Sequence, residues 1–420
     1  MTSREARAGA SIRVLTFSTL YPNAVQTAHG VFVENRLRHL VKEGTVESRV
    51  VAPVPWFPFS HRMFGSYAAF AGVPAFEERE GLEVSHPRYP VIPKIGMSSA
   101  AAWLYLATRR AARRAIDSWG GIDLIDAHYF YPDGVAAALL GRELKKPVVI
   151  TARGSDVTQI PRHAVPRRQI LWAAQRASGI ITVCNALKEG LVSLGGDGAK
   201  IRVLRNGVDL EAFQPLPPET ARRRYGADGP VVLSVGLLIP RKRHDLAIGA
   251  LPDLPGATLL IAGEGPERNR LESLARRLGV WDRVRFLGLV PHAELAALYG
   301  AADVTVLASE REGWANVLLE SMACGTPVVA SNIPGTDEVV AAPEAGRLFE
   351  PHTSDALARA VRVVLGNPPD RRQTRAYAER FGWDATTAGQ IALFREVLGR
   401  QVPHHEPETG VRGAWSACNS

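Results

Sequence analysis

Short apolar runs rich in β-branched residues alternate along the chain with longer segments in which apolar residues recur every three or four positions. The runs predict buried strands, and the periodic segments predict amphipathic helices. The predicted strands are Ile12–Ser18, Val50–Ala52, Asp123–Ala127, Val148–Thr151, Gly179–Val183, Lys200–Leu204, Val231–Val235, Thr258–Ala262, Val284–Leu287, Val304–Leu307 and Val328–Ala330. The predicted helices include Phe32–Glu43, Ala101–Ser118, Asp245–Ala250, Arg268–Leu278, Ala293–Tyr299 and Val317–Ala323. This alternation predicts an α/β protein with parallel, doubly wound sheets.

A break in the alternation begins at the turn-forming pair Asn206-Gly207 and continues through three closely spaced prolines. Glycine and proline interrupt regular structure, so this segment is predicted to link two domains. We therefore expect one Rossmann-like domain over residues 1–207 and a second over 208–381. Residues 401–420 are rich in His, Glu, Gly and Ser and are expected to form a loose tail.

Composition places the chain among ordinary globular proteins. It has 420 residues, of which 46% are hydrophobic and 22% charged. Three cysteines are too few for a disulfide framework or a zinc site, which favours the reducing cytoplasm. No stretch approaches the roughly 18 consecutive apolar residues of a membrane span, and the polar first residues lack a signal core. We therefore expect a cytoplasmic protein.

Charge is distributed unevenly along the chain. The first 205 residues carry 27 Lys or Arg against 16 Asp or Glu, whereas the remainder carries 23 against 26. One interpretation is that the basic first half faces an anionic partner such as a phosphorylated lipid, a membrane surface or nucleic acid. The other is an arginine-rich composition typical of a GC-rich genome, with no bearing on function.

The segment from Val304 to Ser331 contains the strongest candidates for functional residues. It begins as a predicted strand, passes through a loop that contains Glu312, and continues as a helix that contains Glu320. Ligands of open parallel sheets bind outside the carboxyl ends of the strands, so both carboxylates are expected near a ligand. They can accept hydrogen bonds from sugar hydroxyls. The alternative for any such pair is two solvated acids, but the surrounding sequence counts against it.

This segment, with Ile261-Ala-Gly-Glu-Gly-Pro and Val203-Leu-Arg-Asn-Gly-Val-Asp, resembles the retaining glycosyltransferase family 4, whose fold is GT-B. The resemblance extends to about Gly399. It implies two facing Rossmann-like domains with an interdomain cleft, and a helix over 382–400 that crosses back to the first domain. It also implies transfer of a sugar from a nucleotide-sugar to a glycan or lipid-linked acceptor, in cell-surface polysaccharide or glycolipid synthesis.

The resemblance implies a role for each residue of the motif. Glu312 would contact hydroxyls of the donor sugar, and Glu320 would hold the ribose. The backbone N–H groups of Asn316 and Val317, at the start of a helix, would face sugar or phosphate oxygens. The backbone at Val290 would flank the nucleobase; the alternative is that Val290 is a core residue at a strand end.

The segment that begins at Ser234 resembles the family's phosphate-binding loop. Gly236 and Lys242 match the family pattern, whereas Leu237 replaces an arginine that is frequent in the family. We expect Lys242, together with Arg241, to neutralise the charge that develops on the leaving diphosphate. An exposed basic helix start is the alternative. The Asp-x-Asp sequence of metal-dependent transferases is absent, so no metal or other cofactor is expected.

The first domain carries four further candidates. Gly30 precedes a helix and would let the backbone approach the diphosphate or the acceptor, and His29 beside it is a second acceptor-side candidate. His128, at the end of a predicted strand, resembles a family histidine near the donor sugar. Arg153 stands where many members have histidine, and a contact with an acceptor phosphate is the expectation for it. The first loop is not Gly-x-Gly-x-x-Gly, so dinucleotide binding is not expected.

Mechanism and rival functions follow from the same residues. We expect retention by a front-face route, in which the leaving phosphate helps to deprotonate the acceptor hydroxyl. The rivals are a nucleotide-sugar 2-epimerase of GT-B fold and a non-catalytic module that binds glycans or nucleic acid. Neither accounts for the second-half motif, so no nucleic-acid partner is expected.

A basic helix raises the question of membrane contact. Arg109, Arg110, Arg113 and Arg114 lie on an otherwise apolar predicted helix, and an aromatic segment begins at Pro55. These residues are compatible with docking to an anionic leaflet. The alternative is a helix packed on the sheet with a solvated arginine face.

Overall fold

The computed structural model describes residues 11–56, 70–91, 96–216, 222 and 229–399, and the predicted tail 401–420 lies outside them. The strands are β1 Ile12–Phe17, β2 Val46–Val51, β3 Val54–Trp56, β4 Phe76–Arg79, β5 Leu82–Ser85, β6 Arg88–Pro90, β7 Leu124–His128, β8 Val148–Ala152, β9 Gly179–Thr182, β10 Ile201–Val203, β11 Val231–Val235, β12 Thr258–Ala262, β13 Val284–Gly288, β14 Val304–Leu307, β15 Val328–Ser331 and β16 Gly346–Phe349.

The α-helices are α1 Val31–Lys42, α2 Ala100–Ser118, α3 Val135–Leu144, α4 Ser155–Thr158, α5 Ala164–Arg176, α6 Asn185–Ser193, α7 His244–Ala250, α8 Arg268–Arg277, α9 His292–Ala301, α10 Asn316–Ala323, α11 Ser354–Gly366, α12 Arg371–Glu379 and α13 Trp383–Val397. Short 3-10 turns cover Gly96–Ser99, Ile160–Arg162, Gly198–Lys200, Pro240–Lys242, Leu251–Asp253 and Trp281–Arg283, and a π-turn covers Phe130–Gly134. Among the described helices, none combines the length and the apolar character that a membrane span requires.

Every strand of the larger sheet precedes the linker. Its order is β10-β9-β8-β7-β1-β2-β5-β4, and every pairing is parallel except that of β4 with β5. The predicted parallel sheet therefore carries one antiparallel strand at this edge, which the sequence pattern did not indicate. The two strands are joined by Glu80 and Gly81, both with positive φ (49° and 74°), a short connection that returns the chain antiparallel.

The second sheet follows the linker and is parallel throughout, with the order β13-β12-β11-β14-β15-β16. Its central strands β11, β12 and β14 are buried along their whole length, as expected for strands covered by helices on both faces. After this sheet, α13 returns to the first unit, where the Gln390 amide oxygen accepts a hydrogen bond from the Arg36 guanidinium of α1.

The two units meet at a seam that only small residues permit. A Cβ on Gly313, in the loop after β14, would lie 1.8 Å from the carbonyl oxygen of Arg153, which follows β8. Two polar contacts bridge the same seam. The Glu338 carboxylate accepts hydrogen bonds from the backbone N–H of Asn185 at 2.7 Å, and the Asn206 amide donates to Asn316 at 3.3 Å. The carboxyl ends of both sheets therefore face one cleft.

Candidate active site

A cavity of about 490 Å³ occupies this cleft. Two walls form it. The C-terminal wall is made of residues 236–242 and 311–317, and the N-terminal wall of residues 153–159 with Phe32, Val183 and Asn206. Of the residues singled out in the sequence, the cavity lining includes Arg153, Gly236, Leu237, Arg241, Lys242, Glu312, Asn316 and Val317. Those placed outside the lining are His29, Gly30, His128, Val290 and Glu320.

Glu312 is the centre of the C-terminal wall. Its carboxylate accepts hydrogen bonds from Lys242 Nζ at 2.7 Å and from Arg241 Nη1 at 3.5 Å. A backbone hydrogen bond of 3.0 Å from Glu310 N–H to the Arg241 carbonyl holds the two loops together. Burial alone would raise the pKa of the Glu312 carboxyl, but the charge and hydrogen bond of Lys242 outweigh it and lower this pKa. Glu312 is therefore an ionised carboxylate that is already paired with a cation.

Leu237 and Arg311 show how charge is arranged around this pair. Leu237, which replaces the frequent family arginine, lines the cavity with a side chain that is 57% exposed and carries no charge. Arg311 lines the same cavity from the loop after β14. Sequence inspection missed it, because an exposed arginine in a loop has no distinguishing local signal. Arg311 supplies a cation on the wall where Leu237 lacks one.

Two glycines allow close backbone packing at the C-terminal wall. A Cβ on Gly263, in the Ala-Gly-Glu-Gly segment, would lie 1.8 Å from the Gly236 carbonyl oxygen, and one on Gly265 would lie 2.4 Å from the Leu238 carbonyl oxygen. Both have φ near +155°, a conformation that favours glycine. These glycines let the phosphate-loop candidate pack directly against the end of β12.

Glu320 lies beside the cavity rather than on its surface. The Tyr299 hydroxyl donates a 2.9 Å hydrogen bond to one carboxylate oxygen, and His292 Nε2 lies 3.6 Å from the other. Interaction with the nearby Glu320 carboxylate raises the pKa of His292. Val290 is partly buried against the core. The sequence indicated neither Tyr299 nor His292 as a partner of Glu320.

Behind the N-terminal wall, His128 is buried and has partners on both ring nitrogens. Arg153 Nη2 lies 2.7 Å from Nδ1, and Asp126 Oδ2 lies 3.3 Å from Nε2. A guanidinium only donates, so Nδ1 is the acceptor and the ring proton lies on Nε2, facing Asp126. Burial lowers the pKa of His128, which keeps the imidazole neutral. Arg153, and not His128, is the member of this group that lines the cavity.

Neutral groups hold the arginines of this wall. Asn206 Oδ1 accepts from Arg153 Nη1 at 2.9 Å, and Gln390 Oε1 accepts from Arg36 Nε at 2.7 Å. Burial lowers the pKa of Arg153 to about 9 and that of Arg36 to about 10. The sequence carried one signal for this network. Asp126 precedes His128 by two positions on one strand, which places both side chains on the same face.

A second, smaller cavity of about 200 Å³ lies beside the segment that precedes α1. His29 lines it, and its Nε2 lies 3.0 Å from the Thr19 carbonyl oxygen. Gly30 has φ +71°, and a Cβ there would lie 2.3 Å from the backbone of Leu20. The structure thus gives Gly30 a packing role at the entry to α1. Within the described residues, no cluster of three His, Cys, Asp or Glu side chains is arranged to hold a metal ion.

The chain matches two family models. One, described as Glycosyltransferase Family 4, covers residues 29–212, and the other, described as Glycosyl transferases group 1, covers residues 219–381. D-inositol 3-phosphate glycosyltransferases of Mycobacterium bovis and Mycobacterium tuberculosis are 32% identical over 311 residues, which covers 68% of this chain. The match spans 64% of the length of these relatives.

Solved structures share the fold. Sucrose-phosphate synthase from Thermosynechococcus elongatus superposes with a TM-score of 0.75 at 21% identity, covering 93% of this chain and all of that one. Anabaena HepE, solved in complex with UDP-glucose, gives 0.68 at 21% identity, covering 91% of this chain and 98% of that one. The predicted α/β GT-B fold is confirmed, and with both halves matched by their family models, the chain belongs to the group 1 glycosyltransferases of family 4.

Proposed function

We propose that this protein transfers a glycosyl group from a nucleoside-diphosphate sugar to an acceptor hydroxyl, with retention at the anomeric carbon. The observation that carries the proposal is the ionised Glu312 held by Lys242 and Arg241 in a cavity between two facing α/β units. Family membership and the UDP-glucose complex of HepE support a nucleotide-sugar donor. The acceptor would be a glycan or a lipid-linked sugar, in cell-surface polysaccharide or glycolipid synthesis.

The chemistry follows from where the charges lie. The acceptor oxygen forms a bond to the anomeric carbon on the face from which the diphosphate departs, as the bond from that carbon to the phosphate oxygen breaks. The acceptor proton passes to the departing phosphate oxygen. Lys242, Arg241 and the backbone N–H groups of Asn316 and Val317 would stabilise the negative charge that develops on the diphosphate. The nucleoside diphosphate leaves with that charge.

Glu312 has a distinct role in this scheme. Without a donor, its carboxylate satisfies Lys242 at 2.7 Å. A bound diphosphate would share Lys242, which frees a carboxylate oxygen to accept a hydrogen bond from a hydroxyl of the transferred sugar. Glu312 would thereby orient the donor rather than attack it. Mass-spectrometric trapping of a stable glycosyl adduct on Glu312 would contradict this front-face route.

Thermal-shift screening against UDP-, GDP-, ADP- and dTDP-sugars tests the proposal first. A ligand that binds only the native state stabilises it by RT ln(1 + [L]/Kd), about 2.7 kcal/mol at a hundredfold excess over Kd. We expect one nucleotide to raise the melting temperature and its sugar to be transferred or slowly hydrolysed. Absence of any shift with all four nucleotides would contradict the proposal.

The same assay separates the rival functions. A 2-epimerase would convert the nucleotide-sugar without an acceptor and without net release of nucleoside diphosphate. A binding module would show neither conversion nor release. Release of nucleoside diphosphate that accelerates when acceptor is added is the outcome expected of a transferase.

Cytoplasmic location with a peripheral position on the membrane is a second part of the proposal. Helix α2 buries Leu104 against the sheet but exposes Trp103 and Leu106, 42% and 47% accessible, on the helix that bears the four arginines. Trp56, at the start of the predicted aromatic segment, is 56% exposed, and residues 57–69 lie outside the described part. Tryptophan and arginine together suit an anionic interface. Co-sedimentation with phosphatidylglycerol vesicles should fall when the four arginines become Glu, and unchanged binding would contradict docking.

A further inference from the structure

Arg153 occupies the N-terminal wall at the carboxyl end of β8. Its Nη1 donates to Asn206 Oδ1 at 2.9 Å and its Nη2 donates to His128 Nδ1 at 2.7 Å. The guanidinium carbon lies 5.2 Å from the centre of the Phe32 ring, within cation–π range. Three neutral groups therefore fix the guanidinium in one orientation inside the cavity.

Most of the hydrogen-bonding capacity of Arg153 is unused. A guanidinium has five N–H donors, and two of those of Arg153 have partners among the described residues. The Nε–H is buried without a partner. Buried donors in native proteins are almost always satisfied, so an orphan donor on a residue that lines a ligand cavity points to a group that the ligand supplies.

The charge balance of the cavity also indicates that the ligand supplies a partner for Arg153. Of the described residues that line it, Arg153, Arg241, Lys242 and Arg311 are cationic, and Glu312 is the carboxylate. Within the described structure, no carboxylate lies at ion-pair distance from the Arg153 guanidinium; the nearby Asp156 carboxylate accepts from the backbone N–H of Arg153 instead. The diphosphate of the proposed donor would be held by Lys242 and Arg241, which leaves Arg153 without an anion on the opposite wall.

The position of Arg153 places that anion near the reacting groups. Its carbonyl oxygen lies against Gly313, the residue that follows Glu312, so that a Cβ there would approach to 1.8 Å. Arg153 and Glu312 also line the same cavity, from opposite walls, so a group bound by Arg153 would lie in the cavity that contains the carboxylate proposed to hold the donor sugar.

We propose that Arg153 binds an anionic substituent, a carboxylate or a phosphate, carried near the reacting hydroxyl by the acceptor or by the transferred sugar. Arg153 thus acts as a specificity-determining residue, with His128 and Asn206 as the residues that position it. The assignment rests on the proposed transferase function. The two possible sources of the anion, donor sugar and acceptor, share the same chemistry and are separated by the two arms of the test.

The donor arm compares nucleotide-sugars that differ in one carboxylate. Titration calorimetry of the full chain would use UDP-glucuronate against UDP-glucose, or GDP-mannuronate against GDP-mannose if screening selects a guanine nucleotide. The acceptor arm is run in saturating nucleoside diphosphate and compares glucose 6-phosphate and glucuronate with glucose. Hydrogen bonds to a charged group discriminate by about tenfold to a hundredfold in affinity. We expect a preference of this size for the anionic member in one arm.

Variants assign that preference to a residue. Arg153→His introduces the residue common in the family and should abolish the preference for the anionic ligand. Arg153→Lys keeps the positive charge but loses the planar guanidinium, and should retain part of that preference. The matched control, Arg168→His, changes an exposed arginine of α5 and should keep the wild-type preference. Circular dichroism of each variant separates loss of preference from loss of fold.

Each outcome decides between the two claims. Nucleotide binding with equal affinity for both members in both arms would overturn the role of Arg153 and leave the transferase proposal intact. A preference that persists in folded Arg153→His would also overturn it, as would a lowered melting temperature with no change in discrimination. Failure of UDP, GDP, ADP and dTDP to bind would overturn the transferase proposal and this assignment together.

Discussion

The two walls of the cleft bury charge in different ways. On the C-terminal wall, opposite charges touch. Glu312 is paired with Lys242 and Arg241, and the pairing lowers the pKa of its carboxyl in spite of burial. On the N-terminal side, charged groups are held by neutral partners. Arg153 is bound by an imidazole and an amide, and Asp133 by the backbone N–H and hydroxyl of Thr19.

The difference indicates that the two walls have different roles. A lysine that is paired with a carboxylate can share its ammonium group with an incoming anion, because that group has three N–H donors. A charge among neutral hydrogen-bond partners gains nothing from movement and holds its geometry, as a preorganised binding group does. The C-terminal wall is thus suited to bind and release a diphosphate, and the N-terminal wall to present a fixed surface to a second substrate.

Removal of the lysine from the C-terminal ion pair should have the largest effect. Lys242→Met keeps the length of the side chain but leaves Glu312 with Arg241 alone, and removes the charge proposed to stabilise the leaving diphosphate. Loss of such a cation or oxyanion donor costs about a thousandfold in rate. We expect kcat/KM for the selected nucleotide-sugar to fall by about this factor, measured as release of nucleoside diphosphate.

The control for this variant is Lys42→Met on α1, where the lysine side chain is 68% exposed and far from the cavity lining. Its rate should match that of the wild type. A Lys242→Met enzyme with kcat/KM within tenfold of the wild-type value would contradict this view of the two walls. The reaction would then not depend on the charges of the C-terminal wall.

The pH dependence of stability tests whether Asp133 is buried among neutral hydrogen-bond partners. Burial raises the pKa of Asp133 from 3.8 to about 7, although hydrogen bonds from Thr19 oppose the shift. Between pH 4 and 7 the native state therefore binds the proton more tightly than the unfolded state, and stability falls as pH rises, by on the order of 4 kcal/mol. Above pH 7 both states are ionised and the effect is constant.

Asp133→Asn should remove this dependence. Urea unfolding at pH 5, 6, 7 and 8 would show the free energy of unfolding of the wild type declining relative to that of the variant as pH rises. Asp117→Asn, on the exposed face of α2, is the control and should leave the pH profile unchanged. A constant difference between wild type and Asp133→Asn across this range would contradict the raised pKa.

Most of the fold could be predicted from the sequence because buried parallel strands are continuous apolar runs. Val231–Val235, Thr258–Ala262 and Val304–Leu307 have the bounds that the pattern indicates. Phe76–Arg79 could not be found in this way. It is a polar edge strand without an apolar period, and it exists because a tight turn returns the chain onto β5.

The residues of the candidate site likewise differ in whether the sequence could predict them. The pairing of Glu312 with Lys242 follows from loops that the sequence places at strand ends, so both residues could be named in advance. The partners of Arg153 could not. Asn206 lies in the linker and His128 on a different strand, and their meeting depends on tertiary packing rather than on any local pattern. Gln390 reaches the same network from the last helix, α13.

Separation of the two walls should have an intermediate effect. In Gly313→Ala, the new Cβ would fall 1.8 Å from the Arg153 carbonyl oxygen and 3.1 Å from the Gly154 Cα, so the backbones must move apart. A displacement of about 1 Å costs on the order of a hundredfold in a reaction that depends on alignment. The control is Gly366→Ala, whose Cβ would meet no atom within 4 Å. Equal kcat/KM in the two variants would show that the walls need not touch.

The smallest effect should come from the polar latch between the units. Glu338 accepts hydrogen bonds from the backbone N–H groups of Asn185 and Ala186 at the start of α6, and from Arg205 Nη2 at 2.7 Å. Glu338→Gln removes the charge that favours this helix terminus, and since Arg205 is partly exposed the loss should be about 1 kcal/mol. We expect a lower melting temperature and a reduction of a few fold in kcat/KM, with the exposed Glu189→Gln of α6 as control. If both variants melt at the same temperature, the latch contributes nothing, and the seam rests on the glycine contact and the Asn206–Asn316 hydrogen bond.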